Sequence, residues 1–153
     1  MDAASSPALP AILQLLDAPK DGRLLAFGAS TSEAALGVAV ERPDLLIVLC
    51  DATSEVTRSV SDRVVADRIY NVIVGDTHAG PPVDRALSIG AMSTMGPSEY
   101  VAMRTAMLPG GYAIFIEEGG DGSAAVASLK GFGFTVADAL DSPIPGHYVI
   151  RAR

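Results

Sequence analysis

The chain of 153 residues contains no tryptophan, and aromatic residues make up only 5% of it. Stacking platforms for bases and aromatic cages for cations therefore have little to be built from. Basic residues are scarce as well: 11 Lys and Arg stand against 18 Asp and Glu, a net charge of −7. The densest basic group, Arg58, Arg63 and Arg68, is interleaved with Glu55, Asp62 and Asp67. A nucleic-acid groove needs clustered cations to neutralise phosphates, so no nucleic-acid partner is expected. A single cysteine, Cys50, precludes an internal disulfide, and a reduced, cytoplasmic setting is the simplest reading. No apolar run approaches the ~20 residues that span a bilayer, so no membrane partner is expected either. Residues 1–10 carry no basic side chain and no apolar stretch of the kind a secretory signal needs, and residues 1–7 read as a flexible lead-in.

What remains is a hydrophobic content of 49% in a length suited to one core, so residues 8–153 read as a single domain. Apolar periodicity alternates between helix and strand. Helices are predicted over 8–16, 30–41, 53–66, 97–107 and 123–131, and strands over 23–27, 44–50, 69–74, 83–89 and 112–117. Ser30 and Glu33 have the spacing of a capping box. The end of the chain breaks the alternation. Residues 134–140 and 147–152 both read as strands, and only Asp141, Ser142, Pro143, Ile144, Pro145 and Gly146 separate them. A parallel crossover needs roughly a dozen residues, so these two strands must pair antiparallel.

The segment 24–51 carries the most chemical information. An apolar strand ends at Gly28, a helix opens at once, and the next apolar strand runs into Asp51. This is the layout of a βαβ unit that holds an adenosine, with the acid placed to grip ribose hydroxyls. Yet the turn is poor in glycine, although the chain has 15 in all. Ser30 and Ser32 occupy positions where backbone would otherwise approach a ligand closely.

Three further stretches carry a family resemblance. Met107-Leu108-Pro109-Gly110-Gly111 precedes the hydrophobic strand 112–116, and Pro109 with the two glycines would end the helix and turn the chain into the sheet. Residues 68–76 read as a strand with a trailing Gly75-Asp76, and Gly131-Phe132-Gly133-Phe134 reads as a turn before the sixth strand. Together these resemble the class I S-adenosylmethionine-dependent methyltransferases, over almost the whole chain. The resemblance implies a three-layer Rossmann-like α/β fold, with a mostly parallel seven-stranded sheet closed by an antiparallel C-terminal hairpin. It implies S-adenosyl-L-methionine as cofactor, a small-molecule acceptor, in-line methyl transfer and no metal. By the same resemblance Gly28, Ala29 and Ser30 would line the methionine part of the cofactor, and Asp51 would take the ribose hydroxyls. Ala52 would lie under the adenine, Asp76 and Thr77 would meet its amino group, and Ser88 would face the sulfonium and the acceptor. His78 is the best-placed general base, and Glu117 and Glu118 end a strand on the same rim.

The sequence departs from the family in two places. Ala26 stands where an acid usually precedes the first glycine of the loop, and the later glycines are Ser30 and Ser32. A serine can still donate to a ligand, and a helix start still favours a carboxylate, although Glu33 would oppose one unless it turns away. A non-catalytic, methyltransferase-like partner subunit or cofactor sensor is the alternative these departures favour. A dinucleotide oxidoreductase fits worst, because no Gly-x-Gly-x-x-Gly follows the first strand. Plain structural roles stand beside each assignment: Asp51 and Asp76 as turn acids, His78 as a solvated loop residue, Glu117 and Glu118 as a solvated strand end. Met92, Met95, Met103 and Met107 could line an acceptor pocket, with Met103 and Met107, at helical spacing, read as core. Little of the chain lies outside the sheet core, so the acceptor site would be open or completed by another subunit.

Overall fold

The structure is a computed structural model and describes residues 8–50, 53–75 and 82–153. Its centre is one seven-stranded sheet in the order β3-β2-β1-β4-β5-β7-β6. The strands are β1 (Arg23–Phe27), β2 (Leu46–Cys50), β3 (Val72–Gly75), β4 (Val83–Ile89), β5 (Met107–Glu118), β6 (Ala137–Leu140) and β7 (His147–Ala152). The first five run parallel, and β7 inserts between β5 and β6 antiparallel to both. The short 141–146 connection thus forces a reversal, as its length requires.

Alternation along the strands sorts side chains onto two faces. On one face Leu24, Ala26, Ile47, Leu49, Leu87 and Ile114 pack against α1 (Leu9–Leu16), α2 (Ser32–Glu41) and α3 (Ser54–Ala66). On the other, Leu25, Phe27, Cys50, Ala86, Phe115 and Ile150 pack against α4 (Pro97–Ala106) and α5 (Ser123–Gly131). Phe115 meets Phe134 edge to face with ring centres 6.1 Å apart, and Tyr100 stacks on Phe132 at 4.5 Å. No helix of the described residues is long and apolar enough to cross a membrane.

Polar anchors fix the helices to this sheet. The hydroxyl of Tyr112 donates towards the carbonyls of Leu15 and Leu16, and Arg85 donates to those of Leu16 and Asp17, so the open C-terminal end of α1 is satisfied from β4 and β5. Asn71, just before β3, does the same for α2. Its amide reaches the carbonyls of Ala39, Arg42 and Leu45 at 3.2, 3.2 and 2.9 Å. Asn71→Ala should therefore cost about 1–3 kcal/mol, read as a lower urea midpoint at unchanged slope.

Two local expectations are corrected. Ser30 and Glu33 form no capping box. Residues 29–31 make a 3-10 turn, α2 begins at Ser32, and the Ser30 hydroxyl is used elsewhere. Pro109 does not stop α4. The helix ends at Ala106 and β5 begins at Met107, with a register shift against β4 between Val83 and Arg85. A proline, which lacks an N–H, is tolerated where the ladder is broken. Gly111 is required there by close approach, since a Cβ would lie 2.8 Å from the carbonyl oxygen of Asp84.

Candidate functional site

The ends of β1 and β4 meet at the point where the strand order reverses, β2 and β3 lying on one side of β1 and β4 on the other. Open α/β sheets place their ligand crevice at the C-terminal edge of such a switch point. Gly28 leaves β1 with φ 92° and ψ 152°, a conformation reserved for glycine. Its N–H donates to the Cys50 carbonyl at 2.9 Å, and its own carbonyl accepts from the Thr31 N–H at 3.1 Å. Ala29 and Ser30 open the helical turn that follows, so their N–H groups have no acceptor within it.

The hydroxyls of this turn face the protein. Ser30 Oγ donates to the Ile89 carbonyl at 2.6 Å, and Ser32 Oγ donates to the Ala29 carbonyl at 2.7 Å. Thr31 is fully buried. Its Oγ1 donates to the Phe27 carbonyl at 2.6 Å and accepts from the Ile89 N–H at 3.0 Å. β1 and β4 pair as far as Phe27 and Ser88, and the Thr31 hydroxyl bridges the next step, where the strands part. Ser30 and Thr31 therefore latch the loop onto the end of β4, while Ser32 closes back on the loop itself. Glu33 turns away towards α3, where Arg63 holds its carboxylate at 2.7 Å.

On the far side of the crevice stands Glu117, near the end of β5. Alternation puts it on the face of Ala113 and Phe115, beside Tyr148 of β7. Glu117 Oε1 accepts from the Met92 N–H at 3.3 Å, while Oε2 is buried and has no hydrogen-bond partner. Burial pushes its carboxyl above the ordinary range, against the pull of the Met92 and Gly90 N–H groups and of His147. Tyr100, whose hydroxyl donates to the Met92 carbonyl at 3.0 Å, is pushed up to about 12 by burial and then by the Glu117 charge. Glu117 is thus no solvated strand end; its neighbour Glu118 is the exposed one.

Of the residues singled out from the sequence, Gly28, Ala29, Ser30 and Ser88 come together at this edge. Ser88 is fully buried with its hydroxyl 4.0 Å from the sulfur of Met95, so it lies within the second core layer. Asp51, Ala52, Asp76, Thr77 and His78 lie outside the described residues. Thr31 and Glu117 are the residues whose roles only the structure brings out. The period-two pattern Ala113, Phe115, Glu117 was a usable signal for the second; nothing local marked the first. A cavity of about 230 Å³ lined by Gly110, Tyr112, Asp138 and Arg151 lies at the start of β5 and the end of β7, across the sheet from this edge.

No family model matches the sequence, and no curated protein does. Solved structures do match the fold. A SAM-dependent methyltransferase from Aquifex aeolicus superposes with a TM-score of 0.80 at 12% identity, over 96% of this chain and 93% of its own. A precorrin-6y C5,15-methyltransferase from Geobacter metallireducens gives 0.72 at 15% identity, over 95% and 86%. A coclaurine N-methyltransferase, solved with N-methylheliamine and SAH, gives 0.64 at 13% identity, over 74% of this chain and 35% of its own. The chain has the class I methyltransferase fold, the seven-stranded sheet with its reversed strand included.

Proposed function

We propose that this chain binds S-adenosyl-L-methionine at the C-terminal edge of β1, β2 and β4 and methylates a small-molecule acceptor. The observation that carries the reading is the Gly28 turn, which opens a helix at the switch point of a methyltransferase-type sheet. The residues there suit the methionine end of the cofactor. Gly28 brings main chain to the crevice without a side chain, and the N–H groups of Ala29 and Ser30 begin a helical turn whose positive end favours a carboxylate. The turned-away Glu33, paired with Arg63, does not oppose it. Asp51 is assigned to the ribose hydroxyls, Ala52 to one face of the adenine, and Asp76 and Thr77 to its amino group. Ile89 and Gly90 form the side towards the acceptor, Ser88 being fully buried, and His78 is the proposed base where the acceptor must lose a proton. When bound, the cofactor supplies a methyl group already activated on a sulfonium. The chain's task is then to bind, align and exclude water. A second copy or a partner subunit is proposed to cover the acceptor side.

One observation favours a second reading, a non-catalytic, cofactor-sensing or partner role. The Ser30 and Ser32 hydroxyls are spent on Ile89 and Ala29, and Ala26 is buried and apolar where the family carries an acid. Calorimetric titration with S-adenosylmethionine and S-adenosylhomocysteine tests the cofactor directly. Saturable binding is expected, weakened roughly tenfold or more by Asp51→Ala, the scale of one lost charge-assisted contact. Absence of binding at about millimolar ligand overturns the methyltransferase reading and the sensing role and leaves the partner role. Binding without turnover on any acceptor class leaves the second.

A further inference from the structure

We propose that Glu117, walled by Tyr148 and Tyr100, is the seat of a basic nitrogen on the acceptor, so that the substrate class is amines carried as ammonium ions. This rests on the methyltransferase reading for what happens next, but the binding site stands on its own geometry. Buried acceptor atoms are almost always satisfied, and one left without a donor costs free energy. Glu117 Oε2 is such an atom. Its partner oxygen is anchored on the Met92 N–H, so one side of the carboxylate is committed and the other is buried without a donor. Among the described residues the ion pairs join Arg42 to Asp44 and Arg63 to Glu33 and Asp67, and none involves Glu117. A cationic donor satisfies Oε2 and offsets the cost of holding the charge out of water.

The surroundings match that ligand. The chain has only four tyrosines. Two of them converge here, Tyr148 opposite Glu117 across the β5–β7 ladder and Tyr100 from α4. Tyr100 is buried and stacked on Phe132, so the half-buried Tyr148 is the ring an ammonium group would meet, its charge drawn to the aromatic face. Tyr148 is held in place: a Cβ on Gly122 would lie 2.9 Å from its ring and one on Gly120 would lie 3.9 Å away, so the loop after β5 lies against it. Met92, Tyr148 and Glu117 itself are all half-buried, so the carboxylate lies near the rim and not deep in the core. The net charge of −7 favours the approach of cations over anions. The titratable groups facing Glu117 are Tyr100 of α4 and Tyr148 and His147 of β7, with Glu118 exposed beside it.

The test uses the full chain with benzylammonium as probe and benzyl alcohol as its uncharged match, by calorimetry with and without S-adenosylhomocysteine. Benzylammonium should bind more tightly than benzyl alcohol. Glu117→Gln should weaken the amine roughly tenfold or more and leave the alcohol unchanged. On the unaltered protein, amine binding should fade as pH falls towards the carboxylate range, and at a higher pH than an ordinary glutamate would give, because burial raises the Glu117 carboxyl. That profile needs no variant and decides the matter if the glutamine protein does not fold. Equal affinity for the two probes, no amine binding at about 10 mM, or unchanged binding in Glu117→Gln overturns the proposal. Failure of the homocysteine derivative to bind counts against the methyltransferase reading alone, since the amine is also titrated without it.

Discussion

Gly28→Ala is expected to lower the stability by about 2–4 kcal/mol and to reduce cofactor binding beyond what that loss explains. Two effects add. The backbone at φ 92° and ψ 152° lies where residues with a Cβ pay about 1–3 kcal/mol. The new methyl would also sit 2.8 Å from the Cβ of Ala91, which is itself buried. Relief requires the end of β4 to move away from the end of β1. That movement pulls on the bond from Ser30 to the Ile89 carbonyl at 2.6 Å and on the bond from the Ile89 N–H to Thr31 at 3.0 Å. The damage is therefore not confined to one turn but spreads along the joint that forms the crevice. Urea denaturation checks the first part: the midpoint should fall at unchanged slope. Combining Gly28→Ala with Ala91→Gly separates the two effects. The double variant should recover the steric share, on the order of 1 kcal/mol, and keep the dihedral cost. Additive losses would mean that the contact with Ala91 does not limit the site.

How far the sequence foretells this joint depends on the range of the interactions. The bounds of β1, β4, α5 and β7 agree with the periodic pattern, because each is set by burial on a local face. The antiparallel hairpin follows from the length of one connection. The ends of elements are less legible. β2 starts at Leu46 and β3 at Val72, each later than the apolar run suggests, because pairing needs a neighbour and not only hydrophobicity. β5 starts at Met107, earlier than expected, because β4 supplies a partner at Val83. The capping box fails for a similar reason. Ser30 has the right spacing to Glu33, but the Ile89 carbonyl, 59 positions away, takes its hydroxyl. Glu117 reads as a rim carboxylate or a solvated strand end until β7, α4 and Met92 close around it. Local chemistry thus names the elements, while the partners of polar side chains at the site are decided across the sheet.

Thr31→Val should cost about 2–4 kcal/mol, although the two side chains have nearly the same shape. The hydroxyl serves two main-chain groups at once, donating to the Phe27 carbonyl and accepting from the Ile89 N–H. Valine fills the same space and leaves the Ile89 N–H, and one bond of the Phe27 carbonyl, unmade at a fully buried position. Water cannot take over there without opening the joint, and the β1–β4 ladder has already ended at Phe27 and Ser88. Thr31→Ser provides the control. It keeps the oxygen and loses one methyl, so it should cost about 1 kcal/mol. Amide exchange at Ile89 should accelerate in the valine protein and not in the serine protein, since only the former loses the acceptor of that N–H. Equal losses in the two variants would assign the stability to packing and remove Thr31 from the joint. The expected inequality has a consequence for the glycine-poor loop. A glycine at position 30 would leave room for a ligand beside the main chain; Ser30 instead binds the loop to β4, so the joint gains rigidity there at the expense of space.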